Sequence, residues 1–115
     1  MAVSLSDFGY LSTDLSPDST GLPFVVFVYP KWGSDRQARI KISRSRRIWR
    51  QNQFLSVAIG PPVRTVRNGC GPRLTQDELD LLFRWVELNR VALLRHWNGE
   101  TDSGDIIEAV KPITG

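Results

Sequence analysis

One segment, Leu74 to Gly99, constrains the fold more than any other. Thr75-Gln76-Asp77-Glu78 has the spacing of a capping box. In that motif the Thr oxygen accepts from the backbone N–H three residues on, and the Glu reaches back to the Thr N–H. Leu74 stands where a hydrophobic staple would, and Asp77, Glu78 and Asp80 put negative charge at the positive end of the helix macrodipole. Downstream, Leu79, Leu82, Phe83, Val86, Leu93 and Trp97 fall on one stripe, widened by Trp85, Leu88 and Ala92. Arg95 and His96 lie in the last turn, where positive charge is favoured, and Asn98-Gly99 can take a left-handed stop. The pattern predicts one helix from about Gln76 to His96. A helix with a one-sided apolar stripe needs a second layer to cover it. Trp85 and Trp97, on the same helix as the Leu stripe, are expected to anchor that core.

The second layer is upstream. Pro23 to Tyr29 is apolar, rich in β-branched and aromatic residues, and stops at Pro30, which reads as a strand buried on both faces. Gln37 to Arg44 alternates: Ala38, Ile40 and Ile42 point one way, Arg39, Lys41 and Ser43 the other. The short link through Lys31–Asp35 predicts an antiparallel hairpin. Phe54 to Ile59, ended by Gly60-Pro61-Pro62, is a third strand, and Val63 to Arg67 a candidate short edge strand. Asp102 or Ser103 to Val110 reads as a short second helix stopped by Pro112. The expected fold is α+β: a three- to four-stranded antiparallel sheet packed against one long helix, plus a short C-terminal helix. Residues 1–20 read as an irregular N-terminal arm, with Phe8 and Tyr10 as its apolar points, and 21–115 as a single domain.

Charge is where the sequence says most about function. The net charge of the 115 residues is only +3, but it is unevenly spread. Residues 1–30 carry three acids and no base; residues 31–73 carry eleven basic residues against the single acid Asp35; residues 74–115 carry four bases and eight acids. Twelve of the fifteen basic residues are arginine, whose planar fork grips phosphate or carboxylate bidentately. Arg44, Arg46, Arg47 and Arg50 interleave with Trp49, a composition suited to an anionic backbone plus one stacked base. Arg39 and Lys41 share a strand face that could extend the patch, and Arg64 and Arg67 stand on the candidate edge strand. These nine residues are the candidate partner- or nucleic-acid-binding set. A solvated surface, a nucleic-acid contact and an acidic protein partner all fit the charge; no zinc-finger spacing, RNP-like strand, GxxG loop or helix-turn-helix spacing singles out nucleic acid.

Chemistry is thinly represented. His96 is the only histidine and Cys70 the only cysteine, so a nitrogen-and-sulfur metal site and an intrachain disulfide are excluded, and a nucleophile would lack a base. Cys70 reads as a small residue in the turn 68–72, in a chain from a reducing compartment. Asp102 and Asp105 around Gly104 lack EF-hand spacing and read as N-terminal charges on the short helix. No P-loop or GxGxxG is present. A non-enzymatic, cofactor-free, cytoplasmic protein is expected. The first residues lack a signal-peptide pattern, and the longest apolar run, Pro23–Tyr29, is far below the ~20 residues of a membrane span.

The stretch Leu79–Gly99 resembles the end of small bacterial domains of unknown function, some of them suspected antitoxin or prophage-associated proteins. Their last helix carries a Trp, then Leu-Asn or Leu-His, a Leu-Leu pair and a closing Trp. Trp85, Leu88-Asn89, Leu93-Leu94 and Trp97 stand in that order here. The antitoxin-like family also has a His-rich strand near its start, and this chain has no histidine there. The resemblance implies a small sheet with a long helix and a bacterial or phage origin, and it transfers no catalytic residue. The expected function is that of a small accessory protein, antitoxin-like or engaged with a host factor, that binds a macromolecular partner through its Arg-rich sheet half. Direct nucleic-acid binding is one alternative. Assembly with copies of itself, through a strand edge or the Phe8/Tyr10 arm, is another.

Overall fold

The computed structural model describes residues 13–30, 37–44, 55–66 and 72–113. Five strands form one antiparallel sheet in chain order: β1 (Thr13–Leu15), β2 (Val25–Val28), β3 (Arg39–Ser43), β4 (Leu55–Ala58) and β5 (Arg64–Val66). Four helices complete it: α1 (Pro17–Thr20), α2 (Gln76–Leu88), α3 (Arg90–Trp97) and α4 (Ser103–Ala109). The architecture is α+β with an antiparallel sheet, richer by one strand and two helices than the sequence pattern predicts.

Strand register decides which side chains meet the helices. Val26 pairs with Leu15 on one side and Ile42 on the other, and Ile40 pairs with Val57. These residues lie on one face and join Leu82, Trp85, Val86, Leu93 and Ile106 in a single buried core. Both expected anchors are in place, Trp85 fully buried and Trp97 nearly so. The alternation in β3 puts Arg39 and Lys41 on the opposite face. In β2, Val25 and Phe27 on that opposite face are buried as well, so the strand is covered on both sides as its unbroken apolar run requires.

Two expectations are corrected. Part of the predicted arm belongs to the fold: Thr13–Leu15 pairs with β2, and Ser16 accepts from the Ser19 N–H to cap the single turn of α1. Alternation too short to register as a period hid the strand. The other correction concerns the long helix, which is broken at Asn89 (φ −107°, ψ 15°). Helical hydrogen bonds continue on both sides, from Asn89 N–H to Trp85 O and from Leu93 N–H to Asn89 O. The buried Asn89 side chain holds the break: Nδ2 donates to Trp85 O and Lys111 O, each at 3.0 Å, and Oδ1 accepts from the Lys111 N–H at 2.7 Å. A mid-helix Asn that bonds to backbone competes with the helix around it. Leu88, the last residue of α2, lies about half a turn from Val86 and is half exposed.

The chain beyond α4 closes the structure. Ile113 N–H donates to Thr20 O at 2.8 Å, at the end of α1. Gly21 is in the left-handed region (φ 79°), and a Cβ there would collide with the Ile113 carbonyl. The predicted Thr75–Glu78 capping box is formed on α2, and Asp102 and Asp105, expected only as N-terminal charges, form a second one on α4. Gly99 takes the expected left-handed conformation (φ 79°). Among the described residues no helix is long and apolar enough to cross a membrane.

Candidate functional site

The structure separates the candidate basic residues into two groups. Arg39 in β3 and Arg64 in β5 both pair with Ala58 of β4, so they flank it in one row on the face away from the helices. Two strand spacings put their backbones roughly 10 Å apart. Lys41 lies in the next row, opposite Ser56 and Phe27. Between the cations β4 contributes only the small side chains of Ser56 and Ala58, both buried.

A single residue positions the two guanidinium groups. Arg39 Nε donates to the Gln37 backbone carbonyl at 3.3 Å, and an Arg64 terminal nitrogen donates to the Gln37 side-chain oxygen at 2.5 Å. Among the described residues neither Arg39 nor Arg64 meets a carboxylate. Each keeps terminal N–H donors beyond those used on Gln37. Lys41 sets its ammonium 5.3 Å from the centre of the Tyr29 ring, and that ring also approaches Trp97 edge-on at 5.7 Å. The basic row is therefore tied, through Tyr29, to the end of α3.

Arg44 belongs elsewhere. Its guanidinium forks onto Glu78 with bonds of 2.9 and 2.8 Å, donates to Arg73 O at 2.9 Å and lies 5.9 Å from the Phe24 ring centre. Those bonds, together with the Thr75 backbone N–H, hold the Glu78 carboxyl down at about 2. The fork raises the Arg44 guanidinium in turn. Arg44 is thus a strut from β3 to the start of α2. Arg46, Arg47, Trp49, Arg50 and Arg67 lie outside the described residues, as do Phe8, Tyr10, Cys70 and the turn 31–35.

His96 departs from its expected role as a last-turn charge. It is buried, and burial lowers its pKa despite the nearby Thr101 backbone and Asp102. Nδ1 is 3.4 Å from Thr101 Oγ1, and Nε2 has no hydrogen-bond partner. The Trp85 indole N–H is likewise buried without a partner. Among the described residues no three His, Cys, Asp or Glu side chains gather in a way that could hold a metal ion.

No protein-family model, curated protein or solved structure matches this chain. Its function has to be argued from its own surface. Of the sequence candidates, Arg39, Lys41 and Arg64 lie on the outer face of the sheet, of which only Arg39 and Lys41 were expected to share a face, and Gln37, which bonds two of the three, is not among the candidates. Gln37 opens the alternating stretch 37–44 and lies two residues before β3, and its polarity alone carries no signal.

Proposed function

We propose that the protein is a small non-catalytic accessory protein that takes the acidic surface of a macromolecular partner at Arg39 and Arg64, on the β5 side of the outer face of its sheet. The observation that carries this proposal is the pair Arg39 and Arg64. Two guanidinium groups are steered by one glutamine, flank a small residue and lack a carboxylate of their own among the described residues. Such forks, oriented in advance, lose less freedom when they grip a carboxylate than unrestrained side chains would. An acidic protein supplies carboxylates at this spacing, and Lys41 extends the reach by one row.

The test is retention of fluorescent poly-glutamate by the full chain at low salt, with a single-stranded oligonucleotide as the parallel probe. The Arg39→Ala/Arg64→Ala variant is expected to lose about tenfold in poly-glutamate affinity, on the scale of two exposed ion pairs. Equal binding by wild type and variant would refute the role of this face. Tighter binding of the oligonucleotide, with a steep salt dependence, would favour nucleic acid instead. The Arg- and Trp-bearing stretch 44–50 is the sequence feature that keeps that second possibility in play.

A further inference from the structure

The helical half carries a surface that the charge pattern does not announce. A cleft of about 220 Å³ opens where the end of α2, α3 and α4 meet. Leu88, Val91 and Ala92 line one side, Ile106 and Ala109 the other. The charged residues lining it are Arg95 and Lys111, both cations. Among the described residues the large apolar side chains left exposed are Leu88 at 50%, Val91 at 73% and Ile107 at 47%, and two of these three stand on this rim.

We propose that the cleft docks a segment of a partner protein in which one leucine- or phenylalanine-sized side chain sits beside a carboxylate. The volume falls below the roughly 300–1,000 Å³ typical of small-molecule sites, so it suits a single side chain better than a cofactor or metabolite. The exposed Leu88 and Val91 extend the apolar contact outside the cleft, as an anchored peptide requires. Charge selects the neighbour of that anchor. Arg95 already attracts a carboxylate, Glu100, but only at 3.6 Å and with both side chains more than half exposed, so an incoming acid can replace it. Lys111 is held at the mouth because Asn89 clasps its backbone on both the N–H and the carbonyl. The nearby acids Asp102 and Asp105 are occupied with each other's backbone N–H in the α4 cap. This surface shares no residue with the sheet face, and either can fail without the other.

The test is an amide-detected NMR titration of the full chain with a short peptide carrying Phe between Asp and Glu. Matched peptides with Lys for the acids, and with Ser for Phe, serve as controls. The acidic Phe peptide is expected to shift the amides of Ala92, Thr101 and Ala109. Lys111→Ala and Arg95→Ala should each weaken it about two- to fivefold, in line with exposed ion pairs. Glu100→Gln should tighten it by a similar factor. Ala109→Leu, at an exposed helical position, should block the cleft and cost tenfold or more while the rest of the spectrum stays in place. The proposal is overturned by an absence of shifts, by equal response to the Lys peptide, or by shifts gathered on β3 and β5. It is also overturned if the same amides shift with protein concentration alone, which would assign the cleft to a second copy of the chain.

Discussion

Asn89 uses its side-chain amide in two places, on the Trp85 carbonyl at the end of α2 and on both backbone groups of Lys111, while its own backbone carbonyl accepts from the Leu93 N–H at the start of α3. Removing that amide leaves the part-buried Lys111 N–H and carbonyl without their Asn89 partner, while Trp85 O keeps its bond from the Asn89 backbone N–H, so Asn89→Ala should cost about 1–3 kcal/mol in urea unfolding. His96 belongs to the same scale. Burial lowers its pKa below the ordinary 6.5, so the unfolded chain takes up the proton first as the pH falls. Stability is therefore full above about 6.5 and declines as the pH drops from there toward the lowered folded value. His96→Phe should flatten that decline between pH 7 and 5; an unchanged slope would assign it to another group. Neither residue's role was legible in the sequence. A polar residue within a strong apolar stripe looks tolerated until its backbone partner, more than twenty positions away, is known. The last-turn rule for His96 describes a local dipole, whereas its burial depends on how the chain around Thr101 packs against α3.

At the scale of elements, what the sequence announced was local. The Thr75–Glu78 capping box, the alternation of β3 and the unbroken apolar run of β2 each reflect chemistry within a few residues, and each appears in the structure. β1 escaped because a three-residue strand exists only through its pairing with β2. Thr75→Ala removes the side-chain acceptor for the Glu78 N–H and should destabilise the protein by about 1 kcal/mol, measured by thermal unfolding. The same cap makes a pH prediction. Glu78 sits at about 2 against an ordinary 4.5, so the stability it contributes is present above about 4.5 and lost as the pH falls toward 2. Glu78→Gln should remove that acid-side loss and release Arg44 from its fork, and comparing thermal melts at pH 6 and pH 3 checks both.

At the scale of the molecule, the described basic residues of the middle of the chain do not gather in one patch. Register sends Arg39, Lys41 and Arg64 to the outer sheet face, while Arg44 is spent on the helical side holding β3 to α2. A run of like charges in sequence says nothing about which face each member reaches, since neighbouring strand residues point in opposite directions. Arg44→Ala is therefore expected to lower stability and leave poly-glutamate binding nearly unchanged, the reverse of the Arg39/Arg64 pair; parallel denaturation and binding curves distinguish them. The contact between Ile113 and Thr20 has a kinetic consequence. It joins positions 20 and 113, far apart in the described chain, so its loop-closure entropy is among the largest in the fold and it should form after the folding barrier has been crossed. Gly21→Ala, which pushes on that junction, should then steepen escape from the native state while refolding from urea proceeds at nearly the original rate. The seam at the chain's ends would govern how long the protein stays folded far more than how quickly it gets there.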